Sequence, residues 1–335
     1  MSLNKIAGFG PVVAALLGNT LVTAIKLAAS ILSGSSAMFA ETIHSFADTL
    51  NQGLLLIGIH RSTKKADSQF EYGYGNERFF WALISACGIF FLGAGITLYN
   101  GINAFNTSHE ITFTPIIFIV LFLSLLIESY TLWIAESNLR KSFPDAAWHE
   151  RFMLADPSTL AVYLEDAVAV IGVLIATASI TLSYYTKNPA WDAVGSVLIS
   201  ILLISVAVTL IAKNRSYLIG RAMPTDLQEE VVAFLTGDPA IEKIIDFKST
   251  VLGFGLYRIK CEIEFNGPAL FQEAFQREAL KDQFEEIKDD YEAFKRHSVD
   301  YADRIPRLMG KKIDEIEGRL KKHFPSIQHI DIEIN

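Results

Sequence analysis

The chain has 335 residues, of which 51% are hydrophobic and 20% charged, with a formal net charge of −8. This composition excludes a disordered chain and a basic nucleic-acid binder. The charge is unevenly spread: residues 1–212 carry 24 charged side chains and residues 213–335 carry 42. A membrane part over 1–212 followed by a soluble part over 213–335 is the economical reading. Cys87 lies in an apolar run and Cys261 in the soluble part, so no disulfide framework is expected. No cleavable signal peptide is expected, because the first apolar stretch is too long for an h-region.

Six segments, about 10–33, 36–60, 79–105, 111–136, 157–183 and 190–212, are long and apolar enough to cross a bilayer. Ser33-Gly34-Ser35-Ser36 predicts a tight hairpin between the first two, with a serine as N-cap. Asp156-Pro157 opens the fifth as N-cap and first helical residue, and Asn188-Pro189 precedes the sixth. Lys5, Arg61, Lys64, Lys65, Arg78, Arg140, Lys141 and Arg151 fall on one side of the membrane, with only Lys187 opposite. The positive-inside rule places both termini in the cytosol. The expected setting is a bacterial inner membrane, with an organelle membrane as the alternative.

Ionisable groups inside a bilayer are expensive, so each is a functional candidate. In the second segment Glu41, His44, Asp48 and Asn51 recur at spacings of three, four and three, which is one helical face. His44 and Asp48, one turn apart, can reach one metal ion, and imidazole with carboxylate suits zinc, iron or manganese. A proton relay or a packing stripe without metal uses the same pattern. The fifth segment carries adjacent acids, Glu165 and Asp166. Neighbouring residues point about 100° apart, so one is expected as ligand and the other as a supporting or interhelical partner. At 1.5 Å per residue, Asp48 lies roughly 18 Å from the outer edge and Asp166 roughly 14 Å from the inner edge. The two halves therefore meet near the midplane of a core about 30 Å thick, where alternating-access carriers keep their site. Asn19, Lys26 and Glu128 are expected to bridge helices or snorkel, and Asp192 to cap a helix or complement its dipole.

The soluble part predicts a helix at about 224–237, strands at about 241–250 and 254–265, a charged helix, a helix at about 306–323, and a closing strand over 327–334. Leu280, Phe284, Ile287, Tyr291 and Phe294 follow a heptad stripe, read as packing within the domain or as a two-chain seam. Together these elements form a small α+β layer, with 268–305 as a helical insertion. The glycines of Phe70–Arg78 do not follow a strand, so a phosphate loop is rejected. His-Glu-x-x-His and Gly-x-Ser-x-Gly patterns are absent, and an enzyme is not expected.

The stretches Ser33–Ser45, Ala47–Gln52, Tyr72-Gly73-Tyr74-Gly75-Asn76 and Leu164-Glu165-Asp166 together resemble the cation diffusion facilitator family of divalent-metal/proton antiporters, most closely its zinc transporter nine branch. The resemblance implies an α-helical membrane protein with six transmembrane helices and a ferredoxin-like cytosolic domain that dimerises. It implies two metal ligands from the second helix and two from the fifth, each pair four residues apart. His44, Asp48 and Asp166 match those positions. The fourth falls on Val162, which binds no metal, and Glu165 is expected to substitute, with Asn51, Asn19 or water as alternatives. The substrate is then a divalent cation, zinc first and manganese or iron next, exported from the cytosol in exchange for protons by a homodimer. A metal-regulated membrane scaffold or sensor is the alternative. The His-rich loop of many vesicular zinc members is missing, and His323, His329 and Asp331 are read as surface groups rather than a second metal site.

Overall fold

The structure is a computed structural model, and it describes residues 9–106, 115–142, 144, 147–155, 157–275 and 280–335. Lys5 and the expected N-cap Asp156 lie outside the described residues. The chain divides into two compact units, Met1–Ile219 and Gly220–Asn335.

The first unit is helical. Helix α1 (Phe9–Ser33) turns into α2 (Ser36–Ser62) through Gly34, whose φ of +65° is a conformation glycine adopts without steric penalty. The Ser35 hydroxyl accepts the Met38 N–H at 3.0 Å, so the predicted serine cap is realised. Helix α3 (Glu77–Gly88) continues through a π-helical segment (Ile89–Ala94) into α4 (Gly95–Asn106). Then follow α5 (Pro115–Ser142), the short α6 (Trp148–Leu154), α7 (Pro157–Thr186) and α8 (Ala190–Ile219). Pro157 stands at the first position of α7, where its missing N–H has no helical role. The Asn188 side chain accepts the Ala190 N–H at 3.0 Å at the start of α8.

Among the described residues, Glu77–Asn106, Pro115–Ser142, Thr159–Thr186 and Ala190–Ile219 are long and apolar enough to cross a membrane. The other two expected spans fall short for visible reasons. The described apolar part of α1 is only Gly18–Ser33, and the polar stripe of α2 lowers its hydropathy. That stripe faces inward. Ala37, Ala40, Glu41, His44 and Asn51 are buried, whereas Phe46, Leu50 and Ile57 on the same helix are exposed. Large apolar side chains such as Ile31, Phe91, Phe122 and Trp133 also cover the outside of the bundle, as a lipid-facing surface requires. Inside, small residues let helices approach closely. A Cβ on Gly195 of α8 would overlap the Ser179 side chain of α7.

The second unit opens with α9 (Thr225–Thr236). Strands β1 (Ile241–Gly253), β2 (Leu256–Phe265) and β3 (Ile327–Ile334) form a mixed sheet in the order β1-β2-β3. β1 runs antiparallel to β2, and β3 parallel to it. The β2–β3 crossover carries α10 (Gly267–Phe275), α11 (Leu280–Ile287) and α12 (Tyr291–His323), as a parallel pair demands a long connection. Ile259, Cys261 and Ile263 alternate on the buried face of β2 and pack with Val231, Leu235, Ile316 and Leu320. Cys87 and Cys261 are free thiols, and burial pushes the Cys261 thiol up to about 11, with Glu317 and Asp331 adding to the shift.

Two helical expectations in this unit are corrected. The heptad stripe does not run along one helix, because the chain turns at 288–290 and Asp290 caps a new helix, accepting the Glu292 and Ala293 N–H groups at 2.9 and 3.1 Å. The helix expected to begin near 306 instead starts at Tyr291 and carries Pro306 inside it. Proline there removes one backbone donor from α12 without ending it.

Candidate metal centre

The sequence-predicted ligands come from α2 and α7, which pack against each other. On α2, His44 Nε2 lies 3.6 Å from Asp48 Oδ2, the separation expected of side chains one turn apart. His44 is buried, and neither of its ring nitrogens has a hydrogen-bond partner. On α7, Glu165 and Asp166 diverge as their 100° offset requires. Glu165 is buried, and both of its carboxylate oxygens accept from the Asn51 side-chain amide. Asp166 contacts the Thr131 hydroxyl on α5. Asp48 interacts electrostatically with both acids of α7. Val162, one turn before Asp166 on the same face of α7, is 43% exposed and carries no donor atom.

Among the described residues, no three His, Cys, Asp or Glu side chains stand close enough together to hold one metal ion. One of the expected ligands is held by a hydrogen-bond network. Glu165 is engaged by Asn51, and the Asn51 carbonyl oxygen in turn accepts from the Ser85 hydroxyl on α3. The Asn51 amide therefore ties α2 to α7 and α3. Ser85 was not singled out from the sequence, since a lone serine in an apolar span carries no distinguishing signal.

Two further polar clusters tie helices of the bundle together. The Lys26 ammonium of α1 bridges Glu41 of α2 at 3.0 Å and Glu128 of α5 at 2.6 Å, and the lysine is completely buried. Bridging is the outcome here, and snorkelling is not. Asp192 stands in the first turn of α8, where its charge complements the dipole of its own helix. Its carboxylate accepts from Ser35 Oγ at 2.6 Å and from the Ser36 and Ala37 N–H groups, so it caps the N-terminus of α2 from another helix.

The donor types gathered on α2 and α7, carboxylate oxygen and imidazole nitrogen, are those that divalent transition metals and protons both use. In the second unit, His323 stacks on Phe234 at 5.1 Å, and Asp331 pairs with Arg258 at 3.3 Å.

Comparison with known proteins agrees with this chemistry. Residues 12–219 match the cation efflux transmembrane domain. Metal tolerance protein C4 of Arabidopsis thaliana is 36% identical over 334 residues, covering 96% of this chain and 72% of that protein. The proton-coupled zinc antiporter SLC30A9, mitochondrial, of Xenopus laevis is 35% identical, and its Homo sapiens counterpart 34%. Both matches cover 96% of this chain but only 59% and 58% of the respective antiporter. An integral membrane bundle with inward-facing acids, matched from α1 to the end of α8, places the chain in the cation efflux family, whose members are transporters and not enzymes.

Proposed function

We propose that this protein is a proton-coupled antiporter that carries zinc, or a similar divalent transition metal, across a membrane by alternating access. The single observation that supports the reading is the His44–Asp48 pair on α2, 3.6 Å apart inside an apolar helical bundle and within electrostatic range of Asp166 on α7. The names of the animal relatives support both the cargo and the coupling ion.

The proposed ligands are His44, Asp48 and Asp166, with Glu165 as the fourth once it leaves Asn51. Imidazole and carboxylate bind metal only when deprotonated, so metal and protons compete for the same atoms. Cytosolic metal displaces the protons, the helices rock, and protons arriving on the far side displace the metal. An inward proton gradient then drives metal out of the cytosol. One imidazole among oxygens is a harder site than two would give, which admits manganese or iron as weaker substrates.

In this reading α1 and α2 join the four apolar stretches to make six spans, with the polar face of α2 turned from lipid. Both termini lie in the cytosol, and the second unit is a ferredoxin-like domain that joins two copies into a homodimer. The mitochondrial names of the relatives favour an organelle membrane and lend no support to a bacterial inner membrane.

The test is flux in proteoliposomes under an imposed pH gradient. The wild-type chain moves zinc and protons in opposite directions, and Asp48→Ala or Asp166→Ala abolishes both. Unchanged flux in these variants rejects the assignment, and an absence of zinc flux in the wild type favours the scaffold or sensor reading.

A further inference from the structure

Lys26 serves two carboxylates with one ammonium, donating to Glu41 Oε2 at 3.0 Å and to Glu128 Oε1 at 2.6 Å. The other oxygen of each acid, Glu41 Oε1 and Glu128 Oε2, is buried and has no hydrogen-bond partner. Both ring nitrogens of His44 share that condition. Buried polar atoms without protein partners are costly, and in native structures a water, an ion or a ligand commonly completes them. The two acids differ in their freedom. Glu41 Oε1 is pressed against the α7 backbone at Gly172, where the space for a Cβ is already filled. Glu128 interacts electrostatically with Asp48 and with Asp166, and its carbonyl accepts the Thr131 hydroxyl at 3.0 Å beside Asp166. Glu128 is thus common to the Lys26 cluster and to the acid pair of the cargo site.

We propose that Glu128 is a further cation-binding residue of the transport route, shared between the Lys26 ammonium and the divalent cargo. The ammonium holds Glu128 in the conformation described above. A dication arriving at Asp48 and Asp166 carries twice the charge and draws the carboxylate away, supplying from α5 the donor that Val162 does not supply from α7. This rests on the reading of His44, Asp48 and Asp166 as the cargo site. It makes Lys26 a competitor of the cargo: the ammonium repels the dication and occupies an oxygen that the dication uses. A lysine that only tied helices together would have the opposite effect, because its loss would loosen the site.

The experiment is zinc binding by titration calorimetry on the full chain in detergent, with monodispersity checked for each variant. Glu128→Gln weakens zinc binding by about 10- to 100-fold, as loss of a group that supports a metal site does. Lys26→Met tightens it by about tenfold, from relief of charge repulsion. Unchanged binding in Glu128→Gln, or unchanged or weaker binding in monodisperse Lys26→Met, overturns the proposal. If a single variant aggregates, the charge-balanced pairs replace it: Lys26→Met with Glu41→Gln tightens binding, and Lys26→Met with Glu128→Gln does not. Equal affinities in the two pairs overturn the proposal. Asp48→Asn separates the failures. Loss of zinc binding there beside unchanged Glu128→Gln rejects the role of Glu128 alone, whereas unchanged binding in both rejects the cargo site itself.

Discussion

The Asn51 amide of α2 donates to both carboxylate oxygens of Glu165 on α7. Its carbonyl oxygen accepts from Ser85 on α3, so every polar atom of the asparagine side chain is used in holding three helices together. Asn51→Leu keeps the approximate volume but leaves the Glu165 carboxylate buried without donors. The expected loss is about 1–3 kcal/mol, because a buried acceptor left bare costs its desolvation. Thermal unfolding in detergent measures it. Ser85→Ala, which removes only the outer bond, costs about 1 kcal/mol.

Gly172 stands where the Glu41 carboxylate meets α7, and a Cβ there overlaps Glu41 Oε1. Gly172→Ala therefore displaces Glu41 from Lys26, at a cost of about 1–3 kcal/mol for overpacking. Gly88→Ala is the control. It has open space around it, and the same substitution leaves stability unchanged or raises it by about 0.5 kcal/mol. Equal melting temperatures for the two variants contradict the contact.

Asp192 caps α2 across the bundle rather than within its own helix. Asp192→Ala leaves the part-buried Ser36 and buried Ala37 N–H groups of α2 without their acceptor, at about 2 kcal/mol by analogy with strong N-caps. The effect is local. Amide exchange accelerates at Ser36 and Ala37 more than in α8, and uniform acceleration argues against a capping role.

Much of this was legible in the sequence, and the limits have physical causes. The inward stripe of α2 is periodic, so Glu41, His44, Asp48 and Asn51 could be assigned to one face without a structure. Their partners could not be assigned, because Glu165 is 114 residues from Asn51 and Glu128 is 102 from Lys26. Local spacing carries no information about which helices meet. Asp192 looked like a cap because it lies in the first turn of α8, and it is one, but for a helix 156 residues away. In the second unit, the alternation in β2 predicted its buried face. The heptad reading of 280–294 failed because apolar spacing continued across a turn, and the Asp290 cap outweighed it.

Asp238 tests the second unit. Burial pushes its carboxyl up, but the Ala240 N–H, at 2.9 Å, and the Arg319 guanidinium pull it further down, leaving it below the ordinary range. A depressed carboxyl adds stability that is present above its unfolded value, near 4, and is lost as pH falls through the folded value. The unit therefore loses protection in amide exchange below about pH 4. Arg319→Met removes part of that dependence and costs about 1 kcal/mol at neutral pH, since the arginine is half exposed. A pH profile identical to that of wild type contradicts the pairing.

The most direct measurement of the central claim is the number of protons released when zinc binds, obtained from calorimetric titrations in buffers of different ionisation enthalpy. Metal and protons compete for the carboxylates and imidazole of α2 and α7, so zinc binding to the wild type releases protons, and fewer leave in Asp48→Asn and in Asp166→Asn. Zinc binding without proton release, or release unaltered in both variants, contradicts exchange at this site.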